Sequence, residues 1–299
     1  MRIIVLGSAA GGGFPQWNCA CPNCRKAWAG GLDVRPRTQS SIAATADGVR
    51  WLVLNASPDI RAQIQATPAL HPRGEGRDSP ISDVLLTNGD VDHVAGLLTL
   101  RERQPFALHA TEATLQILRG DSIFGVLDRS LVEEQAMPLD AWIETRSGLR
   151  VRAFATPGKV PLYLEGDAVE IGAETESVVG VEVWDGRTGF FYVPGCAAVT
   201  PALRDRLAGA PLLFFDGTAF TDDEMPRLGL SPKTARRMGH VPMSGPEGSM
   251  ALLSGLDIPR RVYVHINNTN PVLVETSPER ATVEAAGWTV AHDGMEFEL

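Results

Sequence analysis

The sequence contains no run of 18 or more apolar residues, the length a membrane-crossing helix needs, which argues against a spanning transporter. It has no excess of base either: 27 Lys and Arg stand against 36 Asp and Glu, for a net charge of −9. The electrostatic footprint that nucleic acid requires is therefore missing, and the acidity reads as a solvated surface. The apolar start, Met1 to Leu6, breaks at glycines and has no cleavage pattern, so it reads as a first strand rather than a signal peptide, and a cytoplasmic protein is expected. Seven residues from Gly7 to Gly13 are rich in glycine, yet neither Gly-x-Gly-x-x-Gly nor Gly-Lys-Ser/Thr is present, and Phe14-Pro15 stops any helix there. A nucleotide loop is thereby disfavoured; close approach of backbone to a buried site is the better use of these glycines. Histidine is scarce at six residues, and cysteine at four.

The scarce residues are not scattered. Cys19, Cys21 and Cys24 fall within six positions, while Cys196 lies far away. Cys19 and Cys21 are too close for an easy mutual disulfide, and a cytosolic chain is not expected to carry one. Three clustered thiolates suit a structural zinc ion, the alternative being buried or redox-active thiols. The segment from Trp17 to Trp28 reads as a knuckle, with Pro22 and Asn23 turning the chain between thiolates.

Hydrophobic content of 44% with 21% charged residues over 299 positions is ordinary for a globular protein with an ample core. Strand-like runs span residues 2–6, 40–46, 50–55, 83–86, 106–109, 149–155, 178–184, 188–193, 211–215 and 261–264, with short closing strands in 288–297. Asp47-Gly48 and Asp185-Gly186 are hairpin turns. Helical signals begin at Ser57-Pro58-Asp59, with Ile60, Ile64 and Leu70 inward, cover Thr111 to Arg119 and 245–256, and restart at Thr276-Ser277-Pro278-Glu279. Residues 71–80 read as a surface loop. Strands followed by a functional turn and helix, twice over, fit an α/β (α+β) class αββα sandwich: two mixed sheets flanked by helices in one domain, 1–299, with the knuckle inserted at about 17–28. A doubly wound parallel sheet would need fewer hairpins.

The stretch Thr87-Asn88-Gly89-Asp90-Val91-Asp92-His93-Val94-Ala95-Gly96 links the apolar strand at 83–86 to a helical pattern carrying Val94, Leu97, Leu98 and Leu100. Such turns project side chains from the carboxyl end of a sheet. Asp92 with His93 offers oxygen and imidazole nitrogen to a divalent metal; the alternative is that Asp92 caps the helix. Two more apolar runs end in polar residues, at Asp216-Gly217-Thr218 and at His265-Ile266-Asn267-Asn268-Thr269-Asn270-Pro271.

Residues 87–96 resemble the metal motif of the metallo-β-lactamase superfamily, His-x-His-x-Asp-His with glycine three residues on. Asp92, His93 and Gly96 match, whereas Asn88 and Asp90 replace the first two histidines, so one of the superfamily's two metal positions is expected to be lost or altered. The resemblance makes Asp216 the bridging aspartate and His265 the final metal histidine. Thr156 to Lys159 stands where a further histidine is usual. Gly239-His240 resembles a pair in the tRNA-3′-processing branch, where the histidine assists proton transfer; a surface or helix-capping role is the other reading. His71, His109 and His292 read as ordinary. The Cys-x-Cys-x-x-Cys knuckle also occurs in the cyclic-phosphodiesterase branch of phosphonate breakdown, whose additional histidine ligand falls here on Asn268, leaving the fourth ligand open.

Residues 7–19, 88–93 and 265–271 together are similar to the family of pyrroloquinoline quinone (PQQ) synthesis proteins within that superfamily. This resemblance implies PQQ biosynthesis from a glutamate–tyrosine precursor, with two readings. In one the chain is an iron-dependent oxygenase hydroxylating the tyrosine ring; in the other it is a non-catalytic carrier in transport of PQQ or its precursor to the periplasm. A histidine and carboxylate set with open positions favours Fe(II) and oxygen over hydrolysis. The expected cofactors are structural Zn2+ on Cys19, Cys21 and Cys24, and Fe2+ on Asp90, Asp92, His93, Asp216 and His265, with Asp92, His93, His265 and His240 catalytic. Expected partners are a small peptide or amino-acid-derived precursor, O2, other pathway proteins and a second copy of the chain, with neither nucleic acid nor membrane.

Overall fold

The computed structural model describes residues 1–166 and 169–299. Among them, two seven-stranded sheets are formed. The first has the order β14 (Glu296–Glu298), β1 (Arg2–Gly7), β2 (Ser41–Thr45), β3 (Trp51–Leu54), β4 (Ile81–Leu85), β5 (Phe106–Ala110), β6 (Val132–Ala136). The second has the order β13 (Trp288–Val290), β12 (Arg261–Val264), β11 (Leu213–Asp216), β10 (Gly189–Val193), β9 (Ala173–Trp184), β8 (Arg150–Gly158), β7 (Trp142–Glu144). Pairing is antiparallel from β14 through β3 and parallel from β3 through β6. The second sheet repeats this, parallel from β13 through β10 and antiparallel from β10 through β7. Two mixed sheets exclude the doubly wound alternative.

Alternation along the strands builds three apolar layers. Ile3 and Val5 of β1 join Phe190, Tyr192, Phe214, Val262 and Val264 in the core between the sheets. Their neighbours Ile4 and Leu6 face outward, against Ile60, Leu97, Leu115 and Leu118 from the helical segments on that side. On the opposite face Phe191, Val193, Phe215 and Tyr263 pack with Leu203, Leu207 and Val283. Those last three come from helices Pro201–Leu207 and Pro278–Ala285. The αββα sandwich thus follows from which alternate residues are apolar on both faces. The two hairpins form as expected, with the Asp47 and Asp185 carboxylates each accepting two backbone N–H groups of their own turn.

Local structure departs from expectation in several places. The helix expected after the metal motif is a single α-turn, Val91–Val94, continued by a 3₁₀ segment, Ala95–Arg101. The cause lies at Gly96, whose N–H bonds to Ala56 O at 2.8 Å instead of continuing an α-helical ladder. Within 245–256 the described helix is Ser249–Leu252, with Gly248 at its N-cap and Gly255 at φ +73° beyond it. Pro22 and Asn23 open a helix, Pro22–Trp28, rather than making a tight turn, because Cys21 caps it by accepting from the Cys24 N–H. Strands β6 and β7 and the helix Pro201–Leu207 carry weak patterns and were not anticipated. No helix of the described residues is long and apolar enough to cross a membrane.

Gly96 has no room for a side chain: a Cβ there would stand 2.2 Å from Ser57 O and 2.7 Å from Ala56 O. Gly96→Ala should therefore push the metal motif off the 56–57 turn and cost about 1–3 kcal/mol, as overpacking typically does. Thermal unfolding followed by circular dichroism should show a melting point several degrees lower; an unchanged melting point would mean the turn yields freely.

Candidate metal centre

Three parallel-strand ends deliver the donors. The motif residues follow β4, Asp216 ends β11 and His265 follows β12, so the site forms at the carboxyl edges of both sheets, where open α/β sheets place ligands. His240 comes from the turn after helix Ala235–Met238, just past Gly239 in the left-handed conformation. Donor atoms of Asp92, His93 and His265 lie within 4.8 Å of one another, as do those of Asp216, His240 and His265. His265 is common to both groups. It has φ +55°, an uncommon conformation for a non-glycine residue, and this bend turns its ring back between Asp92 and Thr218.

Each imidazole is held from behind. His93 Nδ1 is 2.7 Å from Asn88 Oδ1, which also accepts the Asp90 N–H at 3.0 Å. An oxygen accepting both bonds requires the proton on Nδ1, which leaves His93 Nε2 as a bare lone pair. That atom is buried and has no hydrogen-bond partner, the arrangement of a metal-ligating histidine oriented by an outer group. His265 Nδ1 lies 2.9 Å from Thr218 Oγ1, while its Nε2 faces Asp92 Oδ2 at 3.1 Å. Thr218 in turn donates to Asp216 Oδ1 at 2.7 Å. Asp216 Oδ2 accepts from the Cys196 N–H at 2.9 Å and lies 2.7 Å from His240 Nδ1. The His240 and His265 rings stack at 5.2 Å between centroids.

The charges are interdependent. Burial raises the Asp92 carboxyl, but the adjacent His93 and the bond to His265 outweigh it and hold Asp92 below the ordinary carboxylate range. Burial pushes His93 down to about 4, Asp92 opposing, so it is a neutral ligand at physiological pH. For His265, burial lowers and the Asp92 bond raises, and the net direction is up: this imidazole and Asp92 share a positive charge, which a proton or a metal ion can supply. A divalent metal fits this donor set.

Asp90 sits at the N-cap of the α-turn without a side-chain capping bond, and Asp92 lies inside the first turn, so Asp92 is not the cap. The Asp90 carboxylate is not among the donor atoms gathered within 4.8 Å. Burial and then the Asp92 charge raise it, against Lys159, His240 and His265. Beside the motif, a cleft of about 730 Å³ is lined by Ile117, Phe124, Val160, Pro161, Tyr163 and Leu164. Pro161 and Tyr163 crowd Gly89, and the Tyr163 hydroxyl donates to Gly89 O at 2.6 Å. His109 is a buried partner of Asp83 at 2.8 Å, and the His71 ring lies against Gln65 O; both are remote in role from the centre.

The second cluster is compact. The thiols of Cys19, Cys21 and Cys24 converge within 4.8 Å, and the Asn268 amide stands at 3.1, 3.7 and 3.3 Å from them, respectively. Burial, together with the neighbouring thiols, pushes Cys21 up to about 12, so thiolate charge here calls for a cation. Asn23 binds the Asn268 and Asn270 carbonyls at 3.1 and 2.9 Å, fastening the knuckle to the loop that begins at His265. Sequence reasoning overlooked Thr218, Asn55 and Asn23 as supports, since a lone hydroxyl or amide carries no pattern; only their place beside motif residues marks them.

Comparison with known proteins agrees with this architecture. A beta-lactamase superfamily domain model matches residues 50–266, which is the class that two mixed sheets with donors at their carboxyl edges define. A crystal structure of zinc-bound PqqB from Methylobacterium extorquens superposes with a TM-score of 0.98 at 58% identity, covering all of both chains. Coenzyme PQQ synthesis protein B of Methylobacterium nodulans is 60% identical over 299 residues, again the whole of both chains. The chain belongs to the coenzyme PQQ synthesis protein B family. A diphosphatase of the PhnP family, 21% identical with a TM-score of 0.68 over 100% of this chain and 98% of its own, shares the fold.

Asn88→Ala should free the His93 ring and weaken metal binding roughly 10–100-fold, the usual effect of removing an outer partner. His93→Ala should weaken it further. Competition with a chromophoric chelator measures both; equal affinities in Asn88→Ala and the parent would show that Asn88 does not orient the ligand.

Proposed function

We propose that this chain serves PQQ biosynthesis as an iron-dependent oxygenase that hydroxylates the tyrosine ring of a Glu-Tyr precursor. The carrying observation is the donor set: carboxylates and imidazoles, with Asn88 and Asp90 where hydrolytic relatives of the superfamily have histidines, and a bare, buried His93 Nε2 facing the centre. Asp92, His93 and His265 would hold the metal, with Asp216 and Asp90 ligating or supporting. Bound there, Fe(II) would supply oxygen activation at its open positions. Asp216 would hold His240 with its proton on Nδ1, leaving Nε2 to exchange a proton with the substrate phenol. The cleft beside Gly89 has a volume within the range that takes a small ligand, and Tyr163 and Pro161 border it where an aromatic ring would enter. O2, the precursor and other proteins of the pathway are the partners in this reading. A carrier of PQQ or its precursor would need the cleft but would have no use for a buried, unpartnered imidazole nitrogen.

The three thiols form the proposed structural zinc site, with the Asn268 side-chain NH2 lying over its open fourth corner. The whole chain, 1–299, then acts as one metallo-β-lactamase-like unit with the knuckle inserted.

Cys21→Ser should lose zinc and stability together, since thiolate ligation couples metal binding to folding. Elemental analysis beside thermal unfolding checks this, and a variant fully loaded with zinc and equally stable rejects it.

Protein reconstituted anaerobically with Fe(II) should hydroxylate glutamyl-tyrosine when oxygen and ascorbate are admitted, the ascorbate supplying the two electrons that reduce the second oxygen atom to water, with mass spectrometry showing one added oxygen on the ring. His93→Ala and His265→Ala should each abolish the product. Retention of iron and turnover by both variants would place the reaction at other residues, whereas parent protein that binds the peptide and never hydroxylates it would favour the carrier.

A further inference from the structure

Next to the metal centre lies a cluster that the proposed chemistry does not use. Glu165 receives Lys159 Nζ at 2.8 Å, Arg237 Nη2 at 3.1 Å and Lys233 Nζ at 3.6 Å. Among the described residues it is the one carboxylate within ion-pair distance of these three cations. In a chain of net charge −9, three cations gathered on one described carboxylate concentrate positive charge at this point. The Glu165 carboxyl is held down to about 2 by Lys159 and Arg237, so it does not give way to neutral form. The guanidinium is half used: Arg237 Nη1 is buried without a hydrogen-bond partner, although a guanidinium is shaped to grip carboxylates with both nitrogens.

The cluster has a fixed relation to the site. Lys159 follows the end of β8, and its stem packs on Gly239, where an added Cβ would stand 3.2 Å from Cγ. His240 is the next residue. Arg237 lies on the short helix Ala235–Met238 that ends at that same glycine. Between Lys159 and Glu165, Tyr163 reaches Gly89 of the metal motif, so the segment 159–165 carries both the apolar border of the cleft and the charged cluster. A substrate with its ring beside Gly89 therefore lies against the segment that carries Lys159 and Glu165.

We propose that Lys159, Lys233 and Arg237 form a carboxylate-binding patch that anchors an acidic substrate beside the metal centre. The incoming carboxylate takes the exposed sides of the Arg237 guanidinium and the Lys233 ammonium, whose side chains keep 38% and 35% of their surface, while Glu165 keeps the cluster assembled when no substrate is present. This deepens the oxygenase reading, on which it rests for the peptide used as probe, and it assigns substrate selection to residues outside the metal motif.

Calorimetry on the full-length, zinc-loaded protein tests it with glutamyl-tyrosine, glutaminyl-tyrosine and glutamyl-tyrosinamide, the last two each lacking one carboxylate. In the parent, removing one of the two carboxylates should weaken binding about 10-fold or more, the effect of losing a charge-assisted hydrogen bond. Arg237→Gln and Lys233→Gln should each erase most of that difference, Arg237→Lys should restore part of it, and metal content should stay at the parent level. Equal binding of all three peptides by the parent, or binding of none, overturns the proposal, as does a preference kept by either Gln variant. Failure of the oxygenase reading is seen separately, as glutamyl-tyrosine bound with the expected preference but left unhydroxylated by the iron-loaded protein.

Discussion

An ionised carboxylate enclosed between two imidazoles sets the terms for this structure. Asp92 lies 3.1 Å from His265 Nε2 and 3.8 Å from His93 Nε2, and burying such a charge is costly unless it is paired and hydrogen-bonded. The surroundings answer that cost by fixing both rings. Asn88 directs the His93 lone pair inward, and Thr218 holds the His265 ring so that its Nε2 meets Asp92. A centre built this way is preorganised for a cation, because the ligand atoms are aimed before any ion arrives.

That aim depends on supports anchored in the core rather than in the loops. Asn55, at the end of β3 with φ +63°, accepts the Thr87 N–H at 2.9 Å and donates to Thr87 Oγ1 at 3.0 Å. Tyr192 of β10 reaches Ser40 and Asn55 from the other sheet, which ties the first residue of the metal motif to the packed interface. Gly96 closes the other end of the motif against the 56–57 turn. The knuckle serves the second half of the site in the same manner, gripping the Asn268 and Asn270 carbonyls. In this arrangement a metal at the knuckle would stabilise the loop leaving His265 without touching the reacting atoms.

Much of this was legible in the sequence. Alternating apolar residues identify most strands, and Asp-Gly turns identify two hairpins, because a buried face and a left-handed turn each demand particular side chains. The residues Asp92, His93, Asp216 and His265 could be singled out because each ends an apolar run, where chemistry-bearing residues collect. The short strands β6 and β7 escaped notice since half-exposed edge strands carry little alternation. The motif helix was misjudged because its apolar spacing is helical, whereas its hydrogen bonding is diverted at Gly96 by a turn some 40 residues earlier in the chain.

By itself, then, the sequence determined the layered class, the position of the metal motif and the clustering of three thiols, all of which are local patterns of side-chain type. Tertiary structure decided which donors share a centre, because Asp92 and His265 are 173 positions apart and meet only when the two sheets pack. It alone joined Asn23 to the Asn268 and Asn270 carbonyls and three cations to Glu165. Contacts of that kind arise from strand order and sheet packing, and the spacing of residues along a chain does not encode the distance between two sheet edges.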